Sequence, residues 1–442
     1  MDSLVTEVYA PIDKSVYDKY HVRRGLRYSD GTGVMAGLTS IGEVAGYYIE
    51  DGEKCPMGGH LRYRGYDVTD IVKSCEKDKR FGFEEVVFLL LFGELPNHQE
   101  LEIFQRYMGY KRKLPDGFTE DMILKAPSSN IMNKLGRSVL AAYSYDPHPD
   151  DISAKNVLRQ SMLLIAQLPV MAAYAYQAKR HYHDGESLYL HTPQVDLSTA
   201  ENFLYMLRPD NKFEREEAEL LDSMLMVHAE HGGGNNSAFT LRVVSSSDTD
   251  TYSAISAAIG SLKGPKHGGA NAKVMGMMED IKAHVQDWEN RDEVASYIEK
   301  IIRKQAFDGA GLIYGMGHAV YTYSDPRAVL IREKAERLAR KNEMHNKEFN
   351  LYKSIEELTP KVFAAVKNNA KVMCANVDLY SGFVYKMLNI PPEMYTPLFA
   401  ISRIAGWSAH RMEEVLANNR IIRPAYKSIS KGRKYVPVEE RE

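Results

Sequence analysis

Along most of the chain, apolar residues recur at helical spacing in runs that end at glycine or proline. The run that begins at Phe83, FEEVVFLLLFGELP, ends at a glycine and then a proline, and the next run, HQELEIFQRYMGYKRKLP, also stops at a proline. Only the segment from Gly46 to Val68 combines glycines with β-forming residues, which predicts short strands and turns. The sequence therefore predicts a mainly α fold with a small β region near the N-terminus.

Length and charge narrow the possible classes. A chain of 442 residues is too long for one simple core, so two domains, or one large core with a lobe, are expected. The net charge of −3 and the pI near 6.6 argue against nucleic acid or an anionic membrane as the main partner. The uncharged run 160–178 contains a central Pro169 and three glutamines, which favours a buried core helix over a membrane span.

Cysteine usage and the N-terminus predict a cytoplasmic protein. The three cysteines, Cys55, Cys75 and Cys374, are widely spaced, so neither a disulfide framework nor a zinc site is indicated. The first residues, MDSLVTEVYAPIDKS, have no apolar core and are acidic, unlike a secretory signal or an Arg-rich transit peptide.

Histidines stand beside two glycine-rich breaks, HAEHGGGNN and GPKHGGAN. Before the first break, Leu220, Met224 and Val227 form an apolar helical stripe that the spacing extends to His231, with Gly232–Gly234 ending the helix. This pattern predicts that His231 points inward. Histidine changes charge near neutrality and glycine lets backbone approach a ligand, so the pairing indicates a site.

The second break places His267 just ahead of a helix. Helical spacing of apolar residues follows it, at Val274, Met277, Met278 and Ile281. The positive end of the helix dipole disfavours an imidazolium there, which predicts a neutral histidine able to donate a hydrogen bond.

Three downstream segments carry further candidates. Ser324 or Asp325 is predicted to cap a helix that begins with Pro326. Asp378 falls in the first turn of another helix. Arg403 is the only charged residue in the run from Met394 to Ala409, so a buried anionic partner is expected for it.

Each candidate has a simpler alternative. His228 and His231 have metal-ligand spacing, but no HExxH and no nearby further ligands accompany them, so we predict no metal site. GMGHAV lacks the third glycine of a dinucleotide motif, and GPKHGG lacks the ending of a P-loop. Asp378 alone is more often a cap than a base, and Arg327 alone could be a surface charge. Their combination is what favours a site.

The ordered motifs HAEHGGGN, GPKHGGAN, GMGHAVYTYSDPR, NVDLYSG and FAISR resemble those of the citrate synthases, and LRYRGYDV and RIIRP extend the match from about residue 40 to about 425. The resemblance implies a homodimer with a two-domain, mostly helical fold. Residues 1–268, with an arm at about 1–40, and residues 389–442 would form the large domain. Residues 269–388 would form the small one.

The resemblance also implies an acyltransferase of the tricarboxylic acid cycle that condenses acetyl-CoA with oxaloacetate and water, through an enol and citryl-CoA, to citrate and CoA. Acetyl-CoA would be a cosubstrate, with no permanently bound cofactor. Asp378 would be the base, His267 the donor to the thioester carbonyl and His318 the group that polarises the ketone. The carboxylates of oxaloacetate would be held by His231, Arg327, Arg403 and, from the second subunit, Arg423. The CoA adenine would face the backbone of Leu312, Ile313, Tyr314, Gly315, Met316 and Gly317.

Two alternatives stay open at this stage. A 2-methylcitrate synthase, which uses propionyl-CoA, shares these motifs, and a non-catalytic binding or regulatory member of the fold would be marked by loss of a catalytic residue. One departure from the family pattern is Gly232, where many members carry an acidic residue. The motifs do not assign side chains to the CoA phosphates.

Overall fold

The computed structural model describes Tyr9 and residues 11–51, 53–368, 372–417 and 420–441. The chain separates into two compact units. One comprises Met1–Gly37 with Ile421–Glu442, and the other comprises Leu38–Arg420. The predicted division into a large and a small domain at residues 269 and 388 stays a prediction.

The terminal unit is largely irregular. It contains helix α1 (Lys14–Lys19) and two 3-10 turns, Arg24–Leu26 and Val438–Glu440. Guanidinium groups lie over aromatic rings, with 4.6 Å from Arg24 to the centroid of Tyr17.

The β region predicted from the sequence is a three-stranded antiparallel sheet of β1 (Gly42–Glu50), β2 (Glu53–Tyr63) and β3 (Tyr66–Asp67). Two glycines in this sheet let it contact the chain around residues 320–324. A Cβ at Gly46 would lie 2.6 Å from the carbonyl oxygen of Val320, and one at Gly59 would lie 2.1 Å from that of Ser324. The sheet therefore supports the loop that follows His318.

The larger unit is otherwise helical, which confirms the predicted fold class. A short π-helix spans Thr119–Leu124, and 3-10 turns occur at Tyr143–Tyr145 and Pro392–Met394. Its helices are α2 (Val68–Lys77), α3 (Phe83–Phe92), α4 (His98–Lys111), α5 (Ile131–Ala142), α6 (Ala154–Asp184), α7 (Thr199–Leu207), α8 (Arg215–His228), α9 (Asn236–Ser245), α10 (Thr251–Lys263), α11 (Ala270–His284), α12 (Arg291–Ile302), α13 (Pro326–Ala339), α14 (Glu343–Lys367), α15 (Val377–Met387) and α16 (Tyr395–Leu416).

Helices α6 and α16 form the centre of the core. Helix α6 contains Pro169, and in the described chain it is the one helix long and apolar enough to cross a membrane, yet 72% of its most apolar window is buried in the protein. It is a core helix, as the sequence predicted. Helix α16 packs against α6, α9 and α10, and its residues from Ala400 to Arg411 are buried.

Two predicted helix ends are confirmed. Helix α3 ends at Gly93 with a φ of 89°, and Asp325 caps α13. One prediction was wrong. Helix α8 ends at His228, so His231 lies beyond it and not on its apolar stripe. The reason is tertiary, because the carbonyl of Ala229 accepts the N–H of Gly406 in α16 at 3.1 Å and the chain leaves the helix there.

Candidate active site

One small cavity, of about 140 Å³, brings together residues that are far apart in the chain. It lies where the segment after α8, the start of α11, the start of α13, the start of α15 and helix α16 meet. Among the residues that line it are His231, His267, His318, Arg327, Asp378 and Arg403.

A short backbone pairing between Gly315–Gly317 and the residues up to Asn376 brings His318 and Asp378 to the same cavity. The backbone N–H of Asn376 donates to the carbonyl of Gly315 at 2.9 Å, and its side-chain amide donates to the carbonyl of Gly317 at 2.8 Å. The Asn376 side chain also accepts the N–H of Asp378 and so caps α15. This one residue fixes the chain on both sides, which sets His318 and Asp378 around the same cavity.

The loop predicted to face the CoA adenine, Leu312–Gly317, is part of this arrangement. Gly315 has a φ of +84°, and a Cβ there would lie 2.9 Å from the Cα of Leu379, so only glycine fits. The carbonyls of Gly315 and Gly317 accept hydrogen bonds from Asn376, and the N–H of Gly317 donates to the carbonyl of Cys374 at 2.7 Å. These groups are therefore engaged within the protein, so a base would be met by the residues before them. Adenine binding here stays a prediction.

The contacts of His318 define its tautomer. Its Nδ1 accepts the backbone N–H groups of Val320 and Tyr321, both at 3.1 Å, so the proton of the neutral ring is on Nε2. The ring stacks on Tyr321 with centroids 4.6 Å apart and meets His231 edge to face at 5.3 Å. A neutral Nε2–H held in this way is a suitable donor to a carbonyl oxygen.

His231 and His228 differ in what they can offer. Burial, followed by the charge of Arg327, lowers the pKa of His231 well below its usual value, and its buried Nε2 has no hydrogen-bond partner among the described residues. By contrast, the Nδ1–H of His228 donates to the carbonyl of Met224 at 2.7 Å, and burial lowers its pKa to about 3. His231 therefore retains an open nitrogen, whereas one nitrogen of His228 is used structurally.

His267 lies two residues before Gly269, the N-cap of α11, which confirms its predicted position. Its Nε2 is 3.0 Å from the hydroxyl of Ser237, which also accepts the indole N–H of Trp407 at 3.1 Å. Burial first, and then the charge of Arg403, lowers the pKa of His267 to about 4. The ring is therefore neutral at physiological pH, as predicted, although burial contributes most to this.

Asp378 is held at the start of α15 without serving as its cap, because Asn376 has that role. Burial raises the pKa of its carboxyl to about 6, against the opposing effect of Arg327. A carboxylate with a pKa close to neutrality is well matched to proton abstraction. The apolar face of the same helix is buried, at Tyr380, Phe383, Val384 and Met387.

The two arginines of the cavity are both buried, so the surface-charge alternative for Arg327 was wrong. Its Nε and Nη2 donate to the carboxylate of Asp325 at 3.0 and 2.7 Å. Arg403 is fully buried and lies over the ring of Phe399 at 4.7 Å, and its Nε donates to the carbonyl of His228 at 2.6 Å.

The outer guanidinium nitrogens of Arg403, Nη1 and Nη2, differ from its Nε. Neither Nη1 nor Nη2 has a hydrogen-bond partner in the described parts of the chain, and burial lowers the pKa of the group to about 10. The anionic partner expected from the sequence is therefore not supplied by a described protein carboxylate. Two open guanidinium donors beside a cavity suit a ligand carboxylate.

Several residues of the site were not predicted from the sequence. Phe399, Tyr385 and Ser381 line the cavity, and the first two are aromatic residues that a core assignment would absorb. Their spacing holds a signal, since Ser381 and Tyr385 follow Asp378 at i+3 and i+7 and Phe399 precedes Arg403 by four residues. Arg423 is exposed in the terminal unit, and its contribution to a second subunit stays a prediction.

Comparison with known proteins identifies the family of this chain. The family model for citrate synthase, C-terminal domain, matches residues 28–425. The chain belongs to the citrate synthase family. It is thereby an enzyme of the acyltransferase type, and the predicted family and fold class are confirmed.

Among its relatives is a citrate synthase of Haloferax volcanii, 36% identical over 390 residues, which cover 87% of this chain and 93% of that protein. A 2-methylcitrate synthase 1 of Corynebacterium glutamicum is 34% identical over 427 residues, 95% of this chain and 98% of that one. The citrate synthase of Thermoplasma acidophilum, solved as a ternary complex with carboxymethyl coenzyme A and oxaloacetate, superposes with a TM-score of 0.76 at 27% identity, covering 95% of this chain and 99% of that one.

Proposed function

We propose that this member of the family is a citrate synthase that condenses acetyl-CoA and oxaloacetate with water to give citrate and CoA. The observation that carries the proposal is the set of complementary groups around one cavity: a carboxyl with a raised pKa, Asp378, two neutral histidine donors, and Arg403 with two open guanidinium nitrogens. Two relatives support it: the Haloferax volcanii citrate synthase is 36% identical to this chain, and the Thermoplasma acidophilum citrate synthase, which shares the fold, was solved with bound oxaloacetate.

The roles follow from the chemistry of each group. Asp378 takes a proton from the methyl carbon of acetyl-CoA while His267 donates to the thioester oxygen, which gives the enol. The enol carbon then attacks the ketone carbon of oxaloacetate, and the Nε2–H of His318 protonates the ketone oxygen. Water hydrolyses the resulting citryl-CoA, which breaks the C–S bond and releases CoA as a thiol.

Carboxylate recognition would be shared by His231, Arg327 and Arg403. Arg327 keeps Nη1 for the substrate while Asp325 holds the rest of its guanidinium. Arg403 offers both outer nitrogens, a geometry suited to bidentate pairing with a carboxylate. In a homodimer, Arg423 would complete the site from the second subunit.

The predicted cytoplasmic location and entry of citrate into the tricarboxylic acid cycle belong to the same proposal. All three cysteines, Cys55, Cys75 and Cys374, are unpaired, which fits a reducing compartment. Acetyl-CoA is then a cosubstrate that leaves as CoA in every turnover.

A 2-methylcitrate synthase is the second candidate, because the Corynebacterium glutamicum relative with that name covers 95% of this chain at 34% identity. Release of CoA thiol from acetyl-CoA and from propionyl-CoA, each with oxaloacetate, separates the two. Our proposal predicts a higher kcat/KM for acetyl-CoA. A higher kcat/KM for propionyl-CoA would instead support the second candidate, and no thiol release from either would contradict both.

A further inference from the structure

Behind the cavity lies a row of buried charged and polar side chains that the proposed reaction does not use. Arg242 donates from Nη1 to Glu414 at 2.8 Å, and its Nη2 is 2.7 Å from Nδ1 of His410. The Nε2 of His410 is 2.9 Å from Oε1 of Glu230. All four residues are less than 9% exposed, and Glu230 and His410 are fully buried.

The directions of these hydrogen bonds fix the tautomer of His410. A guanidinium only donates, so Nδ1 of His410 accepts and its proton is on Nε2. His410 is then neutral and donates to Oε1 of Glu230. The pKa of Glu230 lies below its usual value, so this carboxylate carries a negative charge. The backbone N–H of Gly232 donates to the same oxygen of Glu230. The other oxygen, Oε2, is buried and has no hydrogen-bond partner within the described ranges.

Two glycines, Gly42 and Gly406, leave room for the carboxylate of Glu230. A Cβ at Gly406 would lie 2.3 Å from Oε2 of Glu230, and a Cβ at Gly42 would lie 2.8 Å from Oε1. Both glycines therefore allow the backbone to pass close to the anion. Gly406 and His410 lie one and two turns along α16 from Arg403, on the same side of the helix.

Glu230 therefore lies close to Arg403 without forming an ion pair with it. Burial is the main cause that lowers the pKa of Arg403 to about 10, and the charge of Glu230 is the largest opposing influence. Burial acts to raise the pKa of Glu230, but the hydrogen bond from His410 and the charge of Arg403 keep that pKa below its usual value. A buried cation with two open donors is costly, and a nearby anion lowers that cost.

We propose that Glu230 is a positioning residue that supplies negative charge to Arg403 before the dicarboxylate binds, and that it thereby weakens the binding of that dicarboxylate. It acts through Arg403 and through the N–H of Gly232, next to His231, and does not touch the substrate. This inference rests on the proposed function, because it takes oxaloacetate as the ligand of Arg403. Weaker binding speeds exchange of the ligand and release of the product.

The variant Glu230→Gln keeps the shape of the side chain and an oxygen acceptor for His410 and Gly232, but removes the charge. The dissociation constant of oxaloacetate is expected to fall about tenfold, which corresponds to about 1.4 kcal/mol. The repulsion in question is between the carboxylate of Glu230 and a carboxylate of oxaloacetate bound at Arg403. Two unit charges separated by two helical turns, roughly 11 Å, repel each other by about this amount at an effective dielectric constant of about 20. A purely structural role predicts the opposite sign, namely weaker binding.

The test is calorimetric titration of the full-length protein with oxaloacetate, for the unchanged chain, Glu230→Gln and the charge-retaining control Glu230→Asp. Tighter binding by Glu230→Gln alone supports the inference. Equal or weaker binding by Glu230→Gln overturns it, provided that the unchanged protein binds. If the unchanged protein binds no oxaloacetate, the proposed function fails and this inference fails with it.

A stability measurement covers the case in which the variant folds poorly. Without ligand, Glu230→Gln leaves Arg403 uncompensated, so the melting temperature should fall. Saturating oxaloacetate supplies the missing anion and should restore it, with a larger rise than in the unchanged protein. A variant that stays unfolded at saturating oxaloacetate would overturn the proposal.

Discussion

Substitution of Gly406 by alanine tests whether α16 is held against the segment that leads to His231. The N–H of Gly406 donates to the carbonyl of Ala229 at 3.1 Å, and a Cβ at this position would lie 2.5 Å from that same carbonyl oxygen and 2.3 Å from Oε2 of Glu230. One of these atoms belongs to backbone, so a side-chain rotation cannot relieve both contacts. The segment must therefore move away from α16.

The magnitude follows from two opposing effects. Alanine in a helix interior is favoured over glycine by about 1 kcal/mol, whereas an added carbon in a packed core costs about 1–3 kcal/mol. Because the contacts at Gly406 are far below van der Waals distance, we expect the upper end of that cost. The net loss in free energy of unfolding is then about 2 kcal/mol.

The chain offers a matched control at Gly260. It also lies within a helix, α10, but a Cβ there would meet no atom within 4 Å. Gly260→Ala should therefore stabilise the protein by up to about 1 kcal/mol, since only the helix propensity changes. Chemical denaturation followed by circular dichroism compares the two variants with the unchanged chain.

The same pair of variants reports on function. Displacement of His231, a proposed ligand of the substrate carboxylates, by Gly406→Ala should raise the KM for oxaloacetate, whereas Gly260→Ala should leave it unchanged. The reasoning would be refuted if Gly406→Ala were as stable as Gly260→Ala and kept the KM of the unchanged enzyme.

Three further predictions concern the cavity itself. Burial raises the pKa of Asp378 to about 6, so below pH 6 this base becomes protonated and kcat/KM should fall about tenfold per pH unit. His267, whose pKa is lowered to about 4, stays neutral until pH 4 is approached. A pH–rate profile that rises on acidification would contradict this prediction. Asp325→Asn leaves the buried charge of Arg327 uncompensated and should cost about 3–5 kcal/mol of stability in a denaturant titration, with a loss below about 1 kcal/mol as the contrary result. Ser237→Ala removes the partner of His267 and should lower kcat about tenfold in a thiol-release assay at an unchanged KM for oxaloacetate, so an unaltered kcat would argue against the contact.

Local features of the fold could be predicted because they depend on nearby residues. Helix α3 ends at Gly93 in the left-handed conformation, Asp325 caps α13, and His267 precedes the start of α11. Each of these follows from capping and spacing rules that act within a few residues. The predicted helical position of His231 was wrong because it depends on a distant residue. The end of α8 is set by a hydrogen bond from Gly406, which lies far along the chain.

The candidate site divides in the same way. Ordered motifs singled out the cavity residues Asp378, His318 and Arg403, but spacing alone gives no distances between segments. The burial of Arg327 against Asp325 required the folded structure, as did the row of groups behind Glu230. The row joins α9, α16 and the segment after α8, which only the packed core brings together.

The central claim is that Asp378 abstracts a proton from acetyl-CoA once oxaloacetate is bound at Arg403. The most direct test measures CoA thiol release from acetyl-CoA with and without oxaloacetate, for the unchanged protein and for Asp378→Asn, with oxaloacetate binding by both measured calorimetrically. We expect release only with oxaloacetate, and a loss of at least about a hundredfold in Asp378→Asn, which removes the base but should still bind oxaloacetate. Thiol release that does not require oxaloacetate, or that persists at the full rate in Asp378→Asn, would contradict the claim.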